Sequence, residues 1–415
     1  MREKPQLCAM KKPSPGRLHP RRTSAGHRVV AREASSRARR HGDAGTILIL
    51  GGSGRAGVLL AEGLLRETSA GLIIAGRNLD KAEAVATRLR EAFPGKSVAA
   101  RAVDASDPRS LQEAFQNIRL VLVASTTTAH TLAVARAALE GGADYLDIQY
   151  GRKKLEILRS LEGEMLRRRR CFITEAGFHP GLSAALVRYA ASSLDRIDKA
   201  RLAGVVGFRA EGPMPGSMIE LVDSFRDYDP RVYRDGRWQK DNASGWLKST
   251  TVEFGHPFGT RRCSPMLFEE LRDLPTLIPS LKELRFDIAG FSPVIDWAVF
   301  PVILASLAIF QERALGPMAR LLYASLKAFP PKIHCTALKI EARGELGGVP
   351  ITFEFSVSHS DEYLLTAVPV VAGLRQYLSG AIDKPGLWML GQIVDPYPFV
   401  SDLGRLGLDL SLKLR

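Results

Sequence analysis

The chain of 415 residues is long enough for two or three domains with substantial cores. Its hydrophobic content of 45% and charged content of 25% are ordinary for a globular protein. The formal net charge of +14 is unevenly placed, since residues 1–45 hold twelve Lys or Arg against three Asp or Glu and carry +9 of it. The remaining +5 is too little for a nucleic-acid-binding body, so we expect no nucleic-acid partner.

Residues 1–45 are predicted to form a disordered basic tail, because they show neither helical periodicity nor interleaved aromatic residues. Their Arg-rich, acid-poor composition resembles an organelle transit peptide. A flexible bacterial extension and a start codon assigned too early are the alternatives. We expect a cytoplasmic protein, or one of an organelle stroma or matrix if the tail is a transit peptide.

The cysteines indicate a reduced, intracellular protein without a metal site. They are scattered at Cys8, Cys171, Cys263 and Cys335, with neither metal-ligand spacing nor a disulfide framework.

Glycine residues after a short apolar run form the most informative motif. Residues 47–50 have the length of a buried strand, and an Ala/Leu-rich helical pattern follows the glycines at once. Gly52, Gly54 and Gly57 fit the dinucleotide-binding pattern G-x-G-x-x-G. We expect Gly52 to allow the tight turn, Gly54 to admit the pyrophosphate and Gly57 to let the helix approach the strand. An ordinary turn between a strand and a helix is the alternative. The predicted cofactor contacts of this loop are Gly52, Ser53, Gly54, Arg55, Ala56 and Gly57.

Residues after the next three predicted strands refine the cofactor. Arg77 follows the second strand about twenty residues past the glycines, where an NAD-selective site usually has Asp or Glu. Since an arginine pairs with a 2′-phosphate that a carboxylate would repel, the sequence predicts NADP(H). A solvated arginine is the alternative. Asp104 ends the third strand on the expected adenine side, and Ser125 and Thr126 follow the fourth beside the expected nicotinamide ribose.

The order of elements predicts an α/β protein. Strands and helices alternate from residue 46 to about residue 173, which is typical of a Rossmann-type doubly wound parallel sheet. Beyond about residue 200 the pattern becomes antiparallel, with a long hairpin around Gly347 and Gly348. We expect an NAD(P)-binding Rossmann domain at 46–190, a second α+β substrate or dimerisation domain on an antiparallel sheet at 191–375, and a segment at 376–415 that packs back on the first domain.

Residues 294–310 are almost wholly apolar but are interrupted by Asp296 and Pro301. A membrane span needs about 20 apolar residues, so this segment is short for one. We favour a buried or interface helix. Weak membrane-surface contact and a true span are the alternatives, and a homodimer also stays open.

Two tracts at later strand ends add a family resemblance. Residues 143–150 read ADYLDIQY after the fifth strand, and residues 175–182 read EAGFHPGL after the sixth. Together with the glycine loop, Ala75-Gly76-Arg77 and Val103-Asp104, they resemble the saccharopine dehydrogenase-like family of NADP-binding oxidoreductases. The resemblance covers roughly residues 46–400 and is looser after 190. It implies a cleft between two domains, with hydride transfer coupled to proton transfer near a C–N bond.

The resemblance also indicates catalytic candidates. His179 stands where saccharopine-forming members usually carry Asp, and a histidine suits acid–base work near pH 7. Capping of the next helix is the alternative. Asp147 and Tyr150 are further candidates, with turn hydrogen bonds and ring packing as their alternatives, and Glu175 is a weaker one.

Candidate clamps for substrate carboxylates are Arg209, Arg226 and Arg231, because arginine pairs with carboxylates in a bidentate geometry. The sequence therefore predicts an NADP(H)-dependent oxidoreductase acting on a small amino- or oxo-compound. The alternatives are a non-catalytic NADP-binding sensor or scaffold, and a membrane-surface oxidoreductase with a lipidic substrate that docks through residues 294–310.

Overall fold

A computed structural model describes residues 45–207, 210–241, 250–331 and 333–415. The predicted basic tail therefore lies outside the described residues, except for Gly45. The strands, numbered β1 to β16 in chain order, are Thr46–Leu50, Gly71–Gly76, Val98–Ala102, Leu120–Val123, Asp144–Asp147, Cys171–Thr174, Arg196–Val205, Arg231–Arg234, Arg237–Lys240, Thr250–Glu253, Thr260–Pro265, Glu283–Ala289, Thr336–Leu346, Val349–His359, Gly386–Met389 and Asp409–Leu414. The helices, numbered α1 to α14, are Arg55–Glu67, Leu79–Ala92, Pro108–Ala114, Thr131–Glu140, Arg152–Ser160, Glu162–Arg168, Leu182–Ser193, Ser217–Ser224, Leu274–Leu277, Phe300–Phe310, Glu312–Ala328, Glu362–Leu378, Leu390–Ile393 and Pro396–Arg405.

The first sheet is parallel throughout and has the order β15-β6-β5-β4-β1-β2-β3. Strands β1 and β4 at its centre are almost wholly apolar because both faces are covered, as in doubly wound folds. All four residues of β4 are buried, for example. The predicted Rossmann-type sheet is confirmed. The carboxyl ends of its strands meet at one edge, where open α/β sheets bind ligands.

The second sheet has the order β10-β11-β12-β7-β13-β14-β16, with β8 and β9 attached at β12. The predicted hairpin is present as β13 and β14, and Gly347 and Gly348 make its turn with φ values of +63° and +80°. Most neighbours are antiparallel, as expected, but β7 and β12 run parallel. The sheet is therefore mixed, because the long connection between these two strands crosses back over the sheet.

One continuous core joins the two sheets. Helix α7 follows β6 and carries the chain from the first sheet to β7. Leu186 on α7 and Leu202 on β7 are both fully buried in the cluster that also holds Ile47 of β1. The carboxylate of Glu270, from the second half of the chain, accepts hydrogen bonds from Gly181 N at 2.9 Å and Ala184 N at 3.1 Å. These bonds satisfy amides at the start of α7 and tie the halves together.

The C-terminal part of the chain contributes to both sheets. Strand β15 extends the first sheet beside β6, whereas β16 pairs with β14 in the second. Helix α12 lies on α1, where a Cβ at Gly63 would stand 2.8 Å from a methyl group of Val371. The predicted boundaries at 190 and 375 stay a proposal, and the helix that crosses residue 375 packs on the first sheet's α1.

The apolar segment 294–310 forms a π-helical turn, Ile295–Val299, followed by α10. Ile295, Ile303 and Leu307 are buried against a small helical cluster with α8 and α11. Its exposed side is also apolar and includes Trp297 and Phe310, which are 46% and 59% exposed. Among the described residues, no helix combines the length and the apolar character that a membrane span requires.

Candidate active site

The glycine loop after β1 makes a tight turn whose strained position is Gly51. Gly51 has φ +87°, and a Cβ there would stand 2.6 Å from Ser125 Cβ. Gly52 is not left-handed, although a Cβ on it would approach Ile49 O to 2.9 Å. The tight turn therefore needs Gly51, which the sequence reasoning missed. The signal for it was the three-residue spacing of Gly51, Gly54 and Gly57.

The other two glycines serve different purposes. A Cβ on Gly57 would lie 2.3 Å from Gly51 O, so this glycine is required by the packing of α1 on the loop. Gly54 has an ordinary φ of −78°, and a Cβ there would meet protein only at 3.2 Å. It caps α1 without a side-chain hydrogen bond. The open N-terminus of α1 and the space over Gly54 fit a pyrophosphate.

Arg77 and Asp104 lie beside each other on the expected adenine side. Arg77 is exposed after β2, and the neighbouring Gly76 approaches Ser53. Asp104 accepts hydrogen bonds from the backbone and hydroxyl of Ser106 at 2.9 and 2.7 Å. These bonds, and the positive charge of Arg77, lower the pKa of Asp104. An accessible arginine at this position suits a 2′-phosphate.

Arg55 is held at the start of α1 by residues of α12. Its guanidinium lies 3.6 Å from the Asp361 carboxylate and 4.5 Å over the ring of Tyr363. Its side chain is 63% exposed, so it remains accessible at the mouth of the loop beside Ala56. The N-terminus of α12 therefore forms one side of the expected cofactor groove.

Ser125 and Thr126 follow β4 at the same edge of the sheet. The amide nitrogen of Gln149 donates to Ser125 O at 2.5 Å and to Thr127 Oγ1 at 3.2 Å. Gln149 also lines the large cavity described next. It therefore connects the expected nicotinamide end of the cofactor groove to that cavity.

A cavity of about 550 Å³ lies between the carboxyl edge of the first sheet, the second sheet, α8 and α10. Small-molecule sites commonly have volumes of about 300–1,000 Å³. Aromatic side chains from several segments line it: Tyr150, Phe225, Phe268, Phe291, Trp297 and Phe300. The cavity therefore has the volume and the apolar lining of a small-molecule site.

Glu220 of α8 places a carboxyl group in the wall of this cavity. Its Oε1 atom is buried and has no hydrogen-bond partner among the described residues. Burial raises the pKa of Glu220 to about 7, although nearby Lys154 and a hydrogen bond from Thr128 act in the opposite direction. The sequence reasoning missed Glu220. Its only local signal was the polar face that it shares with Ser217 and Ser224 on α8.

His179 also lines the cavity but is surrounded by aromatic rings. Its ring centroid lies 4.5 Å from that of Phe178 and 5.9 Å from those of Phe268 and Phe286. Nδ1 is buried without a hydrogen-bond partner in the described structure. Burial lowers the pKa of His179 to about 4, so the ring is neutral at pH 7. It can accept a hydrogen bond from a ligand there, while its chemical role stays a prediction.

Tyr150 lines the cavity above the buried Glu175. The Tyr150 ring packs edge-on against Phe268 at 5.7 Å. Burial, together with the charge of Glu175, raises the pKa of Tyr150 well above its ordinary value. Glu175 has a left-handed backbone with φ +52°, and its Oε2 lacks a partner among the described residues. Burial raises the pKa of Glu175 to about 8.

Asp147 lies beneath the cavity and does not line it. It is fully buried, and Lys154 Nζ lies 2.7 Å from its Oδ1. Gln149 N, Glu175 N and Thr174 Oγ1 donate to the same carboxylate. Since its oxygens are occupied, the geometry does not support direct chemistry by Asp147. We propose instead that it positions the loops that carry Gln149 and Glu175.

Two of the three predicted carboxylate clamps are not brought to the cavity. Arg226 pairs with Asp223 at 3.0 Å, and Arg231 Nε lies 2.8 Å from Asp229. Neither arginine lines the cavity. Arg209 lies outside the described residues.

Comparison with known proteins agrees with this geometry. Residues 47–175 match the family model for the saccharopine dehydrogenase NADP binding domain. A comparison with curated protein sequences found no match. The apo form of saccharopine dehydrogenase (L-Glu forming) from Saccharomyces cerevisiae superposes with a TM-score of 0.66 at 16% identity, covering 89% of this chain and 100% of that one.

Biliverdin reductase from Synechocystis sp. PCC 6803, in complex with biliverdin and NADP+, superposes more loosely. Its TM-score is 0.36 at 15% identity, over 87% of this chain and 96% of that one. The predicted family and the NADP(H) cofactor are confirmed. Residues 47–175 therefore form a saccharopine dehydrogenase-type NADP-binding domain, and the fold of the chain is similar to that of the yeast saccharopine dehydrogenase.

Proposed function

We propose that this protein is an NADP(H)-dependent oxidoreductase that transforms a small amino- or oxo-compound in the cavity between the two sheets. The observation that carries the proposal is the position of Gln149, which lines the cavity and hydrogen-bonds the Ser125–Thr127 loop after β4. A substrate in the cavity then lies next to the expected nicotinamide end of the groove. When bound, NADPH supplies a hydride, and the protein has to position the substrate and deliver a proton to it.

Residues of the chain support these tasks. Gly51, Gly54 and Gly57 keep the first turn of α1 open to the pyrophosphate, and Arg77 is available to the 2′-phosphate. The aromatic walls exclude water from the reacting groups. The buried polar atoms of Glu220 and His179 that lack partners can hydrogen-bond a substrate.

The proposal is tested by NADPH oxidation with a panel of ketones, aldehydes, imines and 2-oxo acids. A compound that receives deuterium from NADPH deuterated at C4 would identify a substrate. A protein that binds NADPH tightly but transfers deuterium to none of these compounds would support the non-catalytic sensor instead. Glu220 and His179 both line the cavity, and each has a buried polar atom without a partner among the described residues. This favours the enzyme, because burying such atoms is costly without a ligand.

Membrane-surface contact is a second candidate, favoured by the apolar exposed side of the segment 294–310. Val294, Val302 and Ile309 are 41, 50 and 70% exposed on the segment whose other residues wall the cavity. An oxidoreductase that takes its substrate from a lipid surface would use such a face. We expect the protein to sediment with vesicles of mixed neutral and anionic lipids, and Ile309→Ser with Phe310→Ser to abolish this. A stable dimer that buries the same face, without vesicle binding, would contradict it.

A further inference from the structure

We propose that the cavity binds an uncharged carbonyl compound with an apolar body, and that Glu220 donates the proton that the carbonyl oxygen acquires on reduction. This inference rests on the proposed function and specifies its substrate class and its proton donor.

Apolar side chains form most of the cavity walls. Phe268 and Met266 cover one side of the cavity, and Phe225, Phe300 and Leu304 cover another. An aliphatic or aromatic body placed between them gains about 25 cal/mol for each Å² of apolar surface removed from water. A compact polar substrate would leave these walls in contact with water.

The cavity offers little positive charge to an anionic substrate. Among the described residues that line it, the carboxyl and guanidinium groups are those of Glu220, Asp296 and Arg262. Neither carboxyl group can neutralise an anion, and Arg262 is exposed and therefore at the rim. An amino dicarboxylate needs arginine or lysine groups around its carboxylates. Arg226 and Arg231 pair with neighbouring aspartates instead.

Glu220 lies close to the expected nicotinamide end of the cofactor groove. Its carboxyl group accepts a hydrogen bond from Thr128, which directly follows the Ser125–Thr127 loop at the expected nicotinamide end. The other oxygen, Oε1, is buried and has no partner among the described residues. A protonated carboxyl group at this point lacks only an acceptor, which a substrate carbonyl oxygen would provide.

The charged groups around Glu220 leave it able to hold a proton at neutral pH. Lys154 of α5 lowers the pKa, whereas Asp147 of β5 and Asp223 of α8 raise it. Burial is the largest effect, and the resulting pKa is about 7. A general acid with a pKa near the working pH combines a useful protonated fraction with effective proton transfer.

The reaction balances with these groups. The carbonyl carbon accepts a hydride from NADPH, the C=O π bond breaks, and its electron pair moves to oxygen. Glu220 gives its proton to that oxygen, so the ketone or aldehyde becomes an alcohol. NADP+ and the Glu220 carboxylate remain, and solvent restores the proton.

The substrate class is tested by titration calorimetry of the NADP+-loaded full chain with 2-decanone and with 2-oxoglutarate. We expect 2-decanone to bind at least about tenfold more tightly. Leu304→Glu, which places a charge in the apolar wall, should weaken 2-decanone by at least about tenfold. Ala305→Glu, on the exposed neighbouring position, should leave it unchanged. Tighter binding and turnover of 2-oxoglutarate would overturn the inference while leaving the proposed function intact.

The proton donor is tested with Glu220→Gln. We expect turnover of 2-decanone to fall by about 100-fold or more, while the affinities for NADPH and 2-decanone change less than about twofold. Glu91→Gln, the same substitution at an exposed position on α2, should retain the wild-type rate. The wild-type rate should decline above about pH 7, where Glu220 loses its proton, and the residual rate of Glu220→Gln should not.

An unchanged rate in Glu220→Gln would overturn the role of Glu220. NADPH binding without hydride transfer to either compound or to the wider panel would overturn the proposed function and this inference together.

Discussion

The cofactor groove is formed mainly by backbone groups, whereas the cavity beside it is formed mainly by side chains. The groove consists of glycine backbone, the first amides of α1 and exposed polar side chains such as Arg77. The cavity consists of apolar side chains around a few buried acids such as Glu220. Backbone groups suit the cofactor, because the geometry of its phosphates is constant. Side chains suit the substrate, because the substrate differs between proteins of one fold. We therefore expect the cavity rather than the groove to determine which substrate binds.

The ion pair below the cavity should give the largest effect on stability. Replacing Lys154 by Met leaves the buried Asp147 carboxylate without its partner, which should cost about 3–5 kcal/mol of unfolding free energy. Lys153→Met removes an exposed pair with Glu312 and should cost less than about 1 kcal/mol. Urea unfolding of both variants measures the two losses of unfolding free energy. Equal, small losses would show that Asp147 does not depend on Lys154.

The groove should respond to a side chain at Gly54 by losing NADPH without losing its fold. Gly54→Val fills the space above the loop, and its Cβ would stand 3.2 Å from Gly51 O, a close contact that a shift of a few tenths of an ångström relieves. We expect NADPH to bind at least about 100-fold more weakly, or about 2.7 kcal/mol, with a nearly unchanged melting temperature. Gly71→Val, at the start of β2, is the control with unchanged affinity. Retained NADPH binding in Gly54→Val would mean that the loop is only a turn.

Cofactor selectivity should depend on Arg77. We expect NADPH to bind about tenfold more tightly than NADH, a difference of about 1.4 kcal/mol, because Arg77 pairs with the 2′-phosphate. Arg77→Asp should remove or reverse this preference. Arg136→Asp, on the exposed side of α4, should preserve it. Equal affinities for both cofactors in the wild-type protein would contradict the assignment.

The buried acids should make the protein less stable as pH rises. Glu175 has a folded pKa of about 8, above its ordinary value of 4.5, so the folded state binds its proton more tightly than the unfolded state does. Its contribution is complete below about pH 4.5 and is lost as pH rises toward 8. Glu175→Gln should therefore reduce the fall in melting temperature between pH 5 and 8. Exposed Glu91→Gln should follow the wild-type curve, and an equally steep fall in Glu175→Gln would contradict the raised pKa.

The groove could be predicted from the sequence because its residues are nearly contiguous and each has a backbone reason to be there. Gly51 was missed since two overlapping glycine patterns fit the same stretch. The strand alternation likewise sufficed for the parallel sheet. It could not show β12 beside β7, because that pairing depends on a long connection with no local signature.

The cavity could not be predicted in the same way. Glu220, Phe268 and Leu304 come from distant segments that only the second sheet and its helices bring together. Asp147 illustrates the opposite difficulty: its motif was noticed, but the buried contact with Lys154 changes the role that it can have. A sequence pattern identifies a residue more readily than it identifies the side chain packed against it.

A crystal structure of the full chain with NADP+ would show whether the cofactor groove and the cavity meet at the nicotinamide. We expect the pyrophosphate on the amides of the Gly51–Gly57 loop, the 2′-phosphate at Arg77, and the nicotinamide ring beside Thr126 and Gln149, with its reactive face open to the cavity. A nicotinamide ring directed away from the cavity, or separated from it by ordered protein, would contradict the proposed function.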